Sequence, residues 1–164
     1  MVKSGGWFIA LIVTLIVAIF VFAACGRDES TIQPAEIHYG EDLCAECGMI
    51  ISDPKFASSI SKEIGEGRHQ TVAFDDIGDM LAYLDKHPEE KVVGWFVHDY
   101  ETEEWIDATT AFFVVSEAVK SPMNHGIAAH AQKSAAEAMV QKNNGQLFTW
   151  QEVQSHATQG HAHS

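Results

Sequence analysis

From Trp7 to Ala24 the chain carries no charged residue and only Thr14 as a polar side chain, behind a short start whose one cation is Lys3. Such a stretch reads as an export segment, intermediate in length between a signal-peptide core and a short spanning helix. It restricts the folding problem to the residues C-terminal to it, because 1–24 belong to export and not to a core. The remainder is of single-domain size and can bury a core of its own.

The end of the apolar run is specific. Phe22-Ala23-Ala24-Cys25-Gly26 resembles a bacterial lipobox, in which small residues precede a cysteine that is acylated, although Phe22 stands where leucine is usual. The expected arrangement is an export segment over 1–24, lipidation at Cys25, and a flexible, lipid-anchored tether over 25–40, polar and without apolar period. An uncleaved N-terminal helix with Cys25 at its outer end gives the same placement. Either way the domain is expected outside the cytoplasmic membrane, in the bacterial cell envelope.

A formal net charge of −13 bears on partners. An acidic surface is repelled by phosphate backbones and by anionic headgroups, so no nucleic acid partner is expected and the membrane is reached through the anchor. Cations and basic protein surfaces suit it better.

Beyond residue 40, runs rich in β-branched and aromatic residues alternate with two helical patterns. Lys55–Ile64 and Arg68–Phe74 read as a hairpin about Gly65-Glu66-Gly67. Asp75-Asp76 offers an N-cap, and Ile77, Met80, Leu81 and Leu84 recur at helical spacing before Pro88. Val92–Asp99, Glu103–Ala108, Thr110–Val115 and Gly126–His130 read as strands. The alanine-rich stretch from Gln132 to Val140 favours helix and stops at Asn143-Asn144-Gly145, and Leu147–Trp150 reads as the last strand. Hairpin, helix and strand thus occur once from Lys55 to Asp99 and again, more loosely, from Glu103 to Trp150. The expectation is an α+β fold of two small ββαβ-type halves, about 41–99 and 100–152, each a mostly antiparallel sheet with one packed helix. The His-containing end, 153–164, is expected to be a disordered tail.

Cys44-Ala-Glu-Cys47-Gly-Met49 places two thiols and a thioether within one short loop. Soft sulfur ligands select Cu(I) over hard cations, so Cu(I) is the first reading. Two others stay open: a Cys44–Cys47 disulfide, favoured by an oxidising compartment, and a zinc half-site completed by a distant histidine. Met80 and Met139 fall on helical faces as core. Met123 and His125 lie in the turn-forming Ser121-Pro122-Met123-Asn124-His125-Gly126, where a thioether and an imidazole are free to join a metal site. No G-x-S-x-G, P-loop or H-E-x-x-H occurs, so no enzyme is expected.

Cys44-Ala-Glu-Cys47-Gly-Met49-Ile50, the stretch Phe74-Asp75-Asp76-Ile77-Gly78-Asp79-Met80-Leu81-Ala82-Tyr83-Leu84, and Pro122-Met123 with Gly126-Ile127, behind a lipobox, resemble the NosL family. The resemblance implies a lipoprotein copper chaperone that delivers Cu(I) to nitrous oxide reductase or its assembly machinery, in two ββαβ-type halves. It ranks Cys47 and Met49 first as ligands, then Cys44, then Met123; His125 is added from this chain alone. Asp79 stands where relatives carry a small residue or Cys, and no ligand is expected from it. The rival function is a lipid-anchored thiol-disulfide helper using Cys44 and Cys47.

Overall fold

A computed structural model describes residues 31–161. The apolar segment 7–24, Cys25 and the last three residues lie outside the described residues. Among those described, no helix is long and apolar enough to cross a membrane.

Among the described residues, seven strands and the two expected helices follow the expected order and a third helix comes after them: β1 Ser58–Glu63, β2 His69–Phe74, α1 Ile77–Lys86, β3 Val92–His98, β4 Trp105–Asp107, β5 Phe112–Val115, β6 Ile127–His130, α2 Lys133–Asn143, β7 Gln146–Phe148 and α3 Trp150–His161. They form two antiparallel sheets, β2-β1-β3-β4 and β6-β5-β7. In each, the first strand of a ββαβ unit lies in the middle, flanked by its hairpin partner and by the strand after the helix. The duplication expected from element order is therefore a duplication of topology. The central place of β1 explains why Ser58, Ser59 and Ser61 are all buried beside Ile60. Ser58 Oγ donates to the carbonyl of Asp76, and Ser59 Oγ accepts from Ala35 N–H.

Three boundaries differ from expectation. β4, assigned to the second half, pairs with β3 across the Tyr100–Thr102 turn and closes the edge of the first sheet. The tether ends earlier than residue 40, since Ala35 is buried against β1, Ile37 packs on the core and Gly40 N–H donates to Ile51 O. The chain from Trp150 onward is helix to His161 rather than a tail. Thr149 and Glu152 form one half of a capping box, with Glu152 Oε2 accepting from Thr149 N–H at 2.7 Å and from its hydroxyl at 2.8 Å. Trp150, Val153 and Ala157 then face the core at helical spacing.

One hydrophobic core runs through both sheets, from Ile51, Ile60, Phe74 and Met80 to Phe113, Ala129 and Val153. Trp150 stacks near Phe113 at 5.8 Å and Trp95 at 6.4 Å, touching one residue of each sheet. Asp99, just after β3, accepts from Ala131 N–H at 2.7 Å, and Tyr100 N–H donates to Ala129 O, so the first half is also stitched to the end of β6.

Candidate metal site

The cysteine loop is a short, tightly bonded turn. Leu43 and Ile50 pair as an antiparallel bridge, Cys44 N–H donates to Met49 O at 2.8 Å, and Gly48 N–H returns to Cys44 O at 3.0 Å. Gly48 has φ +72°, a left-handed conformation in which glycine avoids the Cβ penalty. Ala45 N–H donates to Ala73 O at 3.0 Å and Ile51 N–H to Asp42 O at 2.9 Å, which fasten the loop to the end of β2 and to its own stem. The result carries Cys44 into the core and leaves Cys47 half-buried above it.

Asp76 and Asp79 open α1 directly opposite. Asp76 is the N-cap, as its sequence predicts: Oδ1 accepts from Gly78 N–H at 2.8 Å. Its other oxygen accepts from Met123 N–H at 3.2 Å, so one carboxylate joins the start of the helix to the loop of the second half. Asp79 points inward. Its Oδ2 accepts from the Cys44 thiol at 3.2 Å and its Oδ1 faces His125 Nε2 at 3.2 Å. The ligand atoms of Cys44, Cys47 and Asp79 all lie within 4.8 Å of one another, a spacing that can hold a metal ion.

The position of His125 depends on a glycine. A Cβ at Gly78 would fall 2.1 Å from His125 Cγ and 2.6 Å from its Cβ, so the imidazole lies directly against the helix backbone. Only a residue with no side chain at position 78 lets the loop come this close.

Electrostatics binds the cluster together. Burial works against ionisation of Asp79, but hydrogen bonds from His125, Cys47 and Cys44 outweigh it and hold the carboxyl below its usual range. The bond to Asp79, opposed by burial and helped by the charges of Asp76 and Asp79, raises the pKa of His125. Burial first, and then the neighbouring Asp79, push the Cys47 thiol up to about 12. Cys47 is therefore a protonated thiol near neutral pH, and a metal entering here must displace a proton, as thiolate ligation generally requires.

Of the residues singled out from the sequence, Cys44 and Cys47 converge, and His125 reaches them through Asp79. Met49 is tied to the loop by its backbone while its side chain is 57% exposed, and Met123 is 38% exposed. Asp79, from which no ligand was expected, is the third member of the converging group. The local sequence shows it only as an acidic residue in the first turn of α1, and its contact with Cys44 comes from the cysteine loop. Met80 is core, fully buried, as its helical spacing predicts, and Met139 packs on a smaller satellite core of Phe56, Val119 and Ala128.

A two-sheet α+β scaffold with Cys44, Cys47 and Asp79 converging at the start of its first helix, two of them buried and Cys47 half-buried, is one that could hold a metal ion. The chain belongs to the NosL family, whose model matches residues 34–158. The copper-binding lipoprotein NosL of Stutzerimonas stutzeri is 27% identical over 158 residues, covering 85% of this chain and 78% of the relative. The crystal structure of the copper chaperone NosL from Shewanella denitrificans has a TM-score of 0.63 at 23% identity, covering 74% of this chain and 96% of that one, and establishes the shared fold.

Proposed function

We propose that the chain is a lipid-anchored, extracytoplasmic carrier of Cu(I), a binding protein without turnover chemistry that passes its cargo by ligand exchange toward the copper centres of nitrous oxide reductase. One observation carries the reading: on a NosL-family fold, two thiols and a carboxylate converge within 4.8 Å beneath a loop that also presents an exposed methionine. Two thiolates with one or two thioethers form a soft set suited to Cu(I). Met49, largely exposed, and Met123 add to that set from outside as the metal arrives or leaves. In this scheme Asp79 holds the Cys44 thiol in position and takes part in its deprotonation, with His125 orienting the carboxylate from the far side.

The family name and the copper-binding names of the relatives support copper as cargo. The lipobox-like segment and Cys25 support the anchor and the envelope location. The raised pKa of Cys47 weighs against the thiol-disulfide helper, because exchange is favoured by an attacking thiol whose pKa lies near the ambient pH.

The test is a reduced, anaerobic titration of the full chain in detergent with Cu(I) against a competing chelator, and separately with Zn(II). One tightly held Cu(I), weak Zn(II), and loss of the tight site in Cys47→Ser are expected. Unchanged Cu(I) affinity in Cys47→Ser, or tighter binding of zinc than copper, would overturn the proposal.

A further inference from the structure

The two halves carry different residues at one matched pair of positions. Phe74 ends β2 and Tyr83 is the seventh residue of α1; His130 ends β6 and Met139 is the seventh residue of α2. In the first half the two rings pack with centroids 5.1 Å apart, a contact that fastens helix to sheet. In the second half the same joint is His130 Nε2 against Met139 Sδ at 3.0 Å. His130 is 1% exposed, buried as fully as Phe74 at 0%. Packing alone does not call for an imidazole here, because the scaffold closes the equivalent joint with two aromatic rings.

The buried imidazole is poorly served by its surroundings. Among the described residues its Nδ1 has no hydrogen-bond partner. A proton on Nε2 gives a weak bond to sulfur and leaves the Nδ1 lone pair alone; a proton on Nδ1 leaves that donor alone and sets the Nε2 lone pair against those of sulfur. A cation between Nε2 and Sδ turns the second arrangement into two bonds to one ion. Bound nitrogen and sulfur lie about 2.0 and 2.3 Å from an ion such as zinc, so atoms 3.0 Å apart are within reach of a single centre. Burial lowers the pKa of His130 against the opposing charges of Asp99 and Glu101, so the ring is neutral near neutral pH, as ligation requires.

Both side chains line a cleft of about 700 Å³ beside Phe56, Tyr100 and Val119, which gives an ion a way in from solvent. Lys55, Lys120 and Lys142 also line it, but so do Asp53 and Glu101. Lys55 is paired with Glu103 at 3.8 Å, and Lys120 Nζ donates to the Glu117 carbonyl at 2.8 Å.

We propose that His130 and Met139 form a second Cu(I) site, sharing no residue with the Cys44, Cys47 and Asp79 group, with a third position open to a small ligand in the cleft. Thioether sulfur and imidazole both suit copper, and the thioether is a poor match for hard cations. Two neutral ligands attract the ion less strongly than thiolates do, so this site is the weaker of the two. Neither ligand can be lost to a disulfide, so the site stays usable when Cys44 and Cys47 are oxidised.

The experiment uses the full chain in detergent with Cys44→Ser/Cys47→Ser and any remaining free thiol alkylated, titrated anaerobically with Cu(I) against a competing chelator. One Cu(I) per chain is expected to remain, held less tightly than by the unaltered chain. Its affinity is expected to fall about tenfold or more when Met139→Leu, or His130→Phe, is added to that chain, the loss that removing a ligand or its support brings. Leucine conserves the volume of methionine, and phenylalanine is what the first half carries at the matched position, so both are expected to fold. The ring nitrogen signals of His130 are expected to move on adding Cu(I), and to stay in place with Met139→Leu. Should His130→Phe fail to fold, the Met139→Leu titration and these signals decide alone. Absence of any bound Cu(I) in the thiol-free chain overturns the proposal, and so does binding that Met139→Leu leaves unchanged, as capture by other histidines would give. None of these measurements depends on Cys44 or Cys47, so failure here leaves the carrier reading to its own test.

Discussion

The thiol of Cys44 donates to Oδ2 of Asp79 at 3.2 Å, and both residues are buried. A carboxylate kept ionised in the core beside a thiol has a structural cost that is offset only by its hydrogen bonds. Here it accepts from Cys44 on one oxygen and faces His125 on the other, so the pair cannot be altered singly without leaving a buried polar group against an apolar wall.

Replacing Asp79 by Asn keeps the shape and removes the charge. Cu(I) affinity in a chelator competition is expected to fall by about 10- to 100-fold, the range found when partners of metal ligands are removed. Affinity equal to that of the unaltered chain would show that Asp79 plays no part in the site.

Gly78→Ala sets two effects against each other. Alanine favours helix over glycine by about 1 kcal/mol, but its Cβ would meet His125 Cγ at 2.1 Å and that residue's own Cβ at 2.6 Å, which a ring rotation alone cannot relieve. Overpacking of this kind costs about 1–3 kcal/mol, so a net loss of stability is expected, seen as a lower denaturation midpoint. A gain in midpoint would mean the loop around His125 yields freely.

Asp99 gives a pH dependence of defined sign. Burial disfavours its ionisation, but bonds from the N–H groups of Ala131, Thr102 and Glu101 and from the Thr102 hydroxyl more than compensate, and its pKa lies below the usual value. A depressed folded pKa means the stabilisation is complete above the unfolded pKa of about 3.9 and is lost as pH falls through the folded pKa. Asp99→Asn is expected to lower stability near pH 7, by about 1.5–3 kcal/mol if one charged hydrogen bond's worth is lost, and to show a shallower acid loss below pH 4. Parallel acid profiles for the two proteins would contradict this.

Trp150→Ala removes a side chain that is 8% exposed and packed between Phe113 and Trp95. A loss of about 3–5 kcal/mol is expected, measured by denaturant unfolding. A loss under 1 kcal/mol would restore the view of this end as a tail.

Period and turn chemistry made most of the fold legible. Asp76 as N-cap, Pro88 after α1, Asn144 at the left-handed end of α2 and the alternation of hairpin and helix all lie where those signals placed them. The misses have physical reasons. Leu147-Phe148-Thr149-Trp150 reads as β by composition, and this hid the Thr149 to Glu152 bonds that start α3. β4 joined the first sheet because a tight turn at Tyr100–Thr102 pairs it with β3, and local turn chemistry overrides a boundary drawn by symmetry. In the site, sulfur was visible as sulfur, whereas Asp79 looked like an ordinary acidic residue in a first helical turn. Its burial against Cys44 depends on a loop from elsewhere in the chain, which no local pattern encodes.

In the first sheet the hairpin strands are joined by residues 64–68, and in the second by 116–126. The longer connection is the one that carries Met123 and His125 back to α1 of the other half. Besides the extra edge strand of the first sheet, the two units of one design differ in this loop, and the candidate site stands beside it. Changes to the shared scaffold would be felt by both sheets alike, whereas changes in 116–126 can retune the ion's surroundings and leave the repeated architecture as it was.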